Sequence, residues 1–284
     1  MVKERMIVRP LDLLLRYVDE DSPFGDATSE SIIPDVRCLA VIKAEREGIV
    51  AGLAEAGMLF SYYGTEVDYL AHDGDRVRPG DLLLELAGSA RAILLVERTA
   101  LNIIGRMSGI ATRTSKIAAM VASVNPGCRI AATRKTSPGF RLFDKKAVVI
   151  GGGDPHRSSL SDGILIKDNH LALVSLEDAV RAAKNSTKYK IIEVEAESPA
   201  DARRAVRAGA DIVMLDNMSV DEIRSTLAIL EEEGLRKKCT IEISGGVDER
   251  TILNFAALDV DVISLGSLTH TVTNFSVNLE IRPI

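Results

Sequence analysis

From residue 128 onward the chain alternates short apolar runs with amphipathic stretches, and this rhythm constrains the fold more than any other feature. The runs are CRIAAT, KAVVIGGG, DGILIKDNH, YKIIEVEAE, ADIVMLDN, CTIEISGG and VDVISLGS. Between the later ones lie SLEDAVRAAKN, SPADARRAVRAG, SVDEIRSTLAILEEEG and DERTILNFAALD, each with helical spacing of its apolar residues. Ser175, Ser198, Ser219 and Asp248 stand where an N-cap belongs, because a short oxygen side chain can accept a free backbone N–H there. Pro199 after Ser198, and Glu222 three residues after Ser219, strengthen two of these starts. Buried strands alternating with helices imply β-α units and parallel strands. Seven such strands predict an α/β barrel that is incomplete, since the usual number is eight.

The first part, to about residue 110, mixes strands and helices. A helix is expected after Pro10, with Leu11, Leu14, Leu15 and Val18 on one face. VRCLAVIKAEREGIVAG reads as strands with polar breaks. HDGDRVRPGDLLLELAG carries two turn signals around apolar runs, which predicts a hairpin. It has the look of a biotinyl or lipoyl carrier hairpin but contains no lysine to acylate. Residues 97–124 read as helical, and Gly105 and Gly109 inside them signal either close packing or a break between two helices.

Composition narrows the function. The chain has 284 residues, a net charge of −6 and 27% charged residues, which argues against a general nucleic-acid binder. The three cysteines, Cys38, Cys128 and Cys239, are far apart and form no CxxC pair, so neither a disulfide framework nor a zinc site is favoured. The N-terminal MVKERMIVRP lacks the apolar core of a signal peptide, and no apolar run reaches membrane-spanning length. A soluble, cytoplasmic protein is expected.

In α/β barrels the chemistry sits where the strands end at their carboxyl termini. The first run ends in Arg134 and Lys135, inside TRKTSPGFR at 133–141, which gathers three cations (with Arg141) around a Pro-Gly turn. The second ends in Gly151–Gly153 followed by His156 and Arg157, and the third in Lys167, Asp168, Asn169 and His170. The fourth carries Glu193 and Glu195 on one strand face, and the fifth ends in Asp216 and Asn217. The last two end in Ser244, Gly245 and Gly246, and in Gly266, Ser267 and, shortly after, His270. Cations thus dominate three ends, carboxylates two, and small glycine-rich turns two. Singly, each has a structural explanation as a solvated loop or a plain turn. Together they suit a ligand with carboxylates on one side and phosphates on the other.

GGGDPHR lacks the Gly-Lys-Ser/Thr of a P-loop, and no GxGxxG opens a helix. ISGG and LGS instead look like barrel phosphate sites, where backbone N–H groups hold a monophosphate. The four histidines have no HxxxH spacing for zinc. Oxygen atoms of Glu195 and Asp216 would suit Mg²⁺ shared with phosphates.

These motifs resemble the quinolinate phosphoribosyltransferases. The resemblance runs through FGDAT, DGDRVRPGD, ERTALN, SGIATRT, TRKTSPGFR, GGGDPHR, IKDNH, EVE, MLDN, ISGG and LGSLTH, in that order. It implies an N-terminal α/β sandwich domain over residues 1–110, with the tail 271–284 returning to it, and an open parallel α/β barrel over 111–270. It implies transfer of phosphoribosyl from phosphoribosyl pyrophosphate to quinolinate with decarboxylation, giving nicotinate mononucleotide, with Mg²⁺ as cofactor. By the same resemblance Arg134, His156, Arg157 and Lys167 line the dicarboxylate pocket, and Arg98 reaches in from a partner subunit of a homodimer or larger assembly. Lys135 lies between that pocket and the pyrophosphate. Glu195 and Asp216 bind the ribose hydroxyls and Mg²⁺, and Ser244, Gly245, Gly246, Gly266 and His270 hold the 5-phosphate end. Three rival readings remain at this stage: a paralogue from molybdenum-transport operons, a nicotinate phosphoribosyltransferase, and a non-catalytic sensor of anionic metabolites.

Overall fold

A computed structural model describes residues 9–283, the side chain of Pro283 apart. Most of the charged stretch MVKERMIVRP therefore lies outside the described residues. In chain order the elements begin with α1 (Pro10–Asp21), α2 (Ala27–Ile32), β1 (Arg37–Ala44), β2 (Gly48–Ile49), α3 (Leu53–Tyr62) and β3 (Glu66–Tyr69). There follow β4 (Arg76–Val77), β5 (Leu82–Ser89), α4 (Ala90–Ala122), β6 (Arg129–Ala131), α5 (Arg141–Ile150) and β7 (Ile164–Ile166). Next come α6 (Asp168–Leu171), α7 (Leu176–Ser186), β8 (Ile192–Ala196), α8 (Pro199–Ala208), β9 (Ile212–Asp216) and α9 (Val220–Glu232). The chain ends through β10 (Thr240–Ser244), α10 (Ile252–Ala256), β11 (Val262–Ser264), α11 (Ser267–His270) and β12 (Val277–Pro283). Among the described residues no helix is long and apolar enough to cross a membrane.

The residues form two compact units. The first holds the chain up to Arg113, Pro138–Gly151, and the chain from Val272 onward. Its antiparallel sheet has the order β12-β1-β5-β3. Leu83, Leu84 and Leu86 of β5 and Ile42 of β1 are fully buried, each contributing ~1.5–3 kcal/mol of apolar burial. The C-terminal strand β12 pairs with β1, from Ala44↔Val277 to Cys38↔Pro283. Helix α4 is unbroken over 33 residues. Its Gly105 and Gly109 serve close packing: a Cβ on Gly105 would come 3.0 Å from the Phe275 carbonyl oxygen, and one on Gly109 would overlap that of Thr273.

The second unit holds Thr114–Ser137 and Gly152–Thr271. Its six strands are parallel, in the order β6-β11-β10-β9-β8-β7. The first strand thus lies beside the last, as in a barrel. No ladder joins β6 to β7 among the described residues, so the barrel is open. Period-two alternation gives each strand two roles. Val194, Val213, Leu215, Ile241, Ile243 and Ile263 are buried at 1% exposure or less on one face. The other face carries Glu193, Glu195, Met214, Asp216, Glu242, Ser244 and Ser264. Ser175, Ser198 and Ser219 cap α7, α8 and α9 by accepting the N–H of Asp178, Asp201 and Glu222. Each such cap contributes ~1 kcal/mol.

Three expectations need correction. KAVVI is not a strand but part of α5, which belongs to the first unit. Its β-branched run suggested a strand, but Phe143, Asp144, Ala147 and Val148 are buried at helical spacing. Asp144, fully buried, takes two hydrogen bonds from the Arg106 guanidinium, at 2.8 and 3.0 Å. Lys146 bonds Glu55 at 2.8 Å and Asp73 at 3.2 Å. The parallel strands therefore number six, and the second expected strand shrinks to a single bridge, Ala131↔Asp154. The expected hairpin does not form either, because β4 pairs with β2 while β5 pairs with β1 and β3. Asp248 accepts the N–H of Arg250 and Thr251, but in a turn ahead of α10.

Gly109→Ala is expected to destabilise the protein by ~1–3 kcal/mol, because overpacking against the Thr273 carbonyl outweighs a gain of up to ~1 kcal/mol in helix propensity. Urea unfolding measures it; an unchanged or raised stability would contradict the close-packing role.

Candidate active site

The inward strand faces of the second unit end in a cavity of about 560 Å³, the size of a small-molecule site. Lining it are Arg134, Lys135, His156, Arg157, Lys167, Glu195, Asp216, Ser244, Gly245 and Gly246, all expected from the strand ends. Gly266 and His270 lie outside the lining but beside Lys135: a Cβ on Gly266 would come 2.9 Å from the Lys135 Cδ and 3.1 Å from the His270 ring. Thr269 donates its hydroxyl to the Lys135 carbonyl at 2.8 Å, which ties that lysine to α11. Arg98 lies exposed on α4 in the first unit, and Arg141 starts α5 there; neither lines this cavity.

Around the sheet the rim is partitioned by charge. Lys167 follows β7 at one edge, and Arg134 and Lys135 follow β6 at the other. Between them run Glu195 on β8, Asp216 on β9 and the Ser244-Gly245-Gly246 turn after β10. That turn needs glycine. Gly245 has φ +81°, and an added Cβ would meet the backbone nitrogen of Asn217 at 2.9 Å. Gly246 has φ +67° and open space around it, so backbone N–H groups can be approached closely. Asn217 is held at φ 54°, with its N–H on the Ser244 carbonyl at 2.9 Å. This locks the β9 turn to the β10 turn.

The cations are crowded. Burial, and then the neighbouring Arg134, lower the Arg157 pKa, while Glu193 and Glu195 offset this. The Arg134 Nε is buried without a hydrogen-bond partner, a donor available to a ligand. Lys167 and Glu195 form an ion pair across the cavity. Burial raises the Glu195 pKa; Lys167 lowers it, while Asp216 and Asp168 push it up again. Three carboxylates near one point are hard oxygen donors that repel each other, and a divalent cation would relieve that repulsion. The donor set fits Mg²⁺.

His156 is the most constrained member. Its backbone has φ 53°, and its Nε2 lies 3.3 Å from Glu193 Oε2 and 3.5 Å from Glu242 Oε1. These two carboxylates overcome desolvation and raise its pKa to about 9. One contact opposes the extra proton: Nδ1 accepts the Arg157 N–H at 2.8 Å. A neutral hydrogen bond is worth ~0.5–1.5 kcal/mol, whereas bonds to charged groups are worth ~1.5–3 kcal/mol each. The carboxylates prevail, and the ring is an imidazolium at neutral pH.

Sequence patterns across the chain agree with this arrangement. The description "Quinolinate phosphoribosyl transferase, N-terminal domain" matches residues 26–108, and "Quinolinate phosphoribosyl transferase, C-terminal domain" matches 110–280. The chain belongs to the quinolinate phosphoribosyltransferase family. It is 46% identical to the probable nicotinate-nucleotide pyrophosphorylase [carboxylating] of Methanothermobacter thermautotrophicus, over 96% of this chain and 99% of that one. It is 45% identical to the protein of the same description from Archaeoglobus fulgidus, over 91% and 99%. The crystal structure of nicotinate-nucleotide pyrophosphorylase from Ehrlichia chaffeensis superposes with a TM-score of 0.90 at 31% identity, over 98% of this chain and 100% of that one.

Sequence reasoning missed Glu242 as a site residue. It lines the cavity at 2% exposure, two positions before Ser244 on β10. The period-two argument that joined Glu193 to Glu195 would have found it. The cysteines offer no nucleophile: burial pushes the Cys128 and Cys239 thiols up to about 11.

The upward shift at His156 sets the direction of a pH effect. Its stabilisation is fully present below the ordinary value of 6.5 and is lost as the pH rises to about 9. Between those limits the wild type should lose roughly 1–3 kcal/mol of unfolding free energy that His156→Asn does not lose. Urea unfolding across the pH range measures this; parallel curves for the two proteins would contradict it.

Proposed function

We propose that the chain transfers the phosphoribosyl group of phosphoribosyl pyrophosphate to quinolinate with loss of CO₂, yielding nicotinate mononucleotide and pyrophosphate for NAD synthesis. One observation carries the reading within this family: a single cavity sets Arg134, Arg157, His156 and Lys167 against Glu195, Asp216 and the Gly245-Gly246 turn. The cations suit a pyridine with two adjacent carboxylates, arginine by two-pronged geometry as well as charge. The carboxylates and the turn suit a ribose 5-phosphate.

The chemistry asks little of a protein nucleophile. The pyridine nitrogen attacks the anomeric carbon as the bond to pyrophosphate breaks. In our reading Lys135, between the two ligand halves, stabilises the departing negative charge. Glu195 and Asp216 hold the ribose hydroxyls and would also hold Mg²⁺, which when bound would neutralise charge on the pyrophosphate. Ser244, Gly245, Gly246, Gly266 and His270 are assigned to the 5-phosphate end. Once the ring nitrogen is quaternary, its positive charge stabilises the carbanion left at the neighbouring carbon as CO₂ departs. That carbon then takes up a proton. Arg134, His156, Arg157 and Lys167 hold the ring through both steps.

We further propose a homodimer or larger homo-oligomer in which the exposed Arg98 of one subunit serves the cavity of another, and a cytoplasmic location. The acidic composition and small anionic substrates fit both.

Purified protein given quinolinate, phosphoribosyl pyrophosphate and Mg²⁺ should form nicotinate mononucleotide and CO₂ in equal amounts. Nucleotide formed from nicotinate as readily, without CO₂, would favour a monoacid transferase; binding without turnover would favour a sensor. Lys135→Ala should cut turnover by about 10²–10³-fold, the scale seen when one charge-stabilising donor is removed, with the fold intact by circular dichroism. Near-normal turnover would remove Lys135 from the mechanism.

A further inference from the structure

Glu242 has no place in the reaction as read so far, yet it is 2% exposed on the inward face of β10. Burying a carboxylate costs several kcal/mol unless it is paired. Its nearest partner is Nε2 of His156, at 3.5 Å, the outer limit of a hydrogen bond. Glu193, equally enclosed on β8 at 5% exposure, meets the same nitrogen at 3.3 Å. The Glu193 Oε1 has no hydrogen-bond partner at all. Two buried acids from two different strands therefore converge on one ring nitrogen. The ring belongs to a residue whose φ of 53° is uncommon for a side chain with a Cβ. Strain of this kind costs ~1–3 kcal/mol and persists only where the surroundings hold it.

An imidazole has two nitrogens, and the acids engage only Nε2. Nδ1 accepts the Arg157 N–H at 2.8 Å and has no acidic neighbour of its own. We propose that Glu193 and Glu242 are positioning residues that hold His156 as an imidazolium through Nε2–H, so that Nδ1–H donates to a carboxylate of the bound pyridine dicarboxylate. This rests on the reading that the cavity takes that ligand. The charged groups acting on the ring are Glu193 from β8 and Glu242 from β10, and Arg157 follows it in the chain. A proton suits this place better than a metal ion. The three donor atoms lie within 4.8 Å of one another, but a dication there would face the Arg157 guanidinium, which already interacts with Glu193. The acids also offset repulsion among cations that the empty cavity must otherwise sustain.

The test combines ¹⁵N-histidine NMR of the full-length protein with steady-state kinetics. In the wild type near pH 7.5, both ring nitrogens of His156 should carry protons. Glu242→Gln keeps the size of the side chain and removes its charge. It should abolish the doubly protonated signature and raise the KM for quinolinate by about tenfold, with kcat and the KM for phosphoribosyl pyrophosphate within about threefold. In a His156→Ala background, E242Q should add nothing further, because it acts through that ring. If E242Q does not fold by circular dichroism, Glu193→Gln takes its place with the same expectations. The outcomes separate two failures. Should H156A leave the quinolinate KM unchanged, the reading of the cavity falls, and this proposal with it. Should H156A raise that KM while E242Q moves neither the KM nor the ring signals, this proposal alone is overturned.

Discussion

The constraint on which the rest of the structure depends is the alternation of side chains along five-residue parallel strands. One face of β8, β9 and β10 is apolar and buried at 5% exposure or less, from Val194 through Leu215 to Ile243. The same alternation leaves Glu193, Glu195, Asp216 and Glu242 no direction but inward. An α/β barrel can bury its outward faces under helices only by concentrating whatever its inward faces carry. Four acids so gathered would be untenable alone. The cations at the two sheet edges, with His156 and Arg157 from the loop after β6, make the arrangement stable.

Charge balance explains why the site is partitioned rather than mixed. Lys167 pairs with Glu195, His156 with Glu193 and Glu242, and Arg157 feels both Glu193 and Glu195. Arg134 keeps a buried donor without a partner. The protein thus satisfies most of its own charge and leaves a remainder that an anionic ligand can satisfy. The glycine turn after β10 adds backbone donors without a side chain to obstruct them. Family membership and this remainder point to the same pair of ligands, a dicarboxylate and a phosphorylated sugar.

Much of this was legible in the residues. Helix caps at Ser175, Ser198 and Ser219 were readable because capping is a local interaction. Strand ends were readable because a buried parallel strand must be apolar and must stop at a polar residue. The failures were non-local. KAVVI carries strand-forming residues, and only the buried partners of Asp144 and Lys146, 38 to 91 positions away, make it a helix. The DGD and RPGD turns were real, with Gly74 and Gly80 at positive φ. Turn chemistry does not say which strand comes next to which, so the hairpin was misjudged. Glu242 was missed because it precedes the strand end, and attention to strand ends alone excludes the layer beneath.

The central claim is that this cavity keeps an excess of positive donors matched to two carboxylates on one ring. Calorimetric titration of the purified protein with pyridine-2,3-dicarboxylate and with pyridine-3-carboxylate tests it directly. The account predicts that the dicarboxylate binds at least about tenfold more tightly, as one additional charge-assisted contact would require. Equal affinity for the two acids would contradict it.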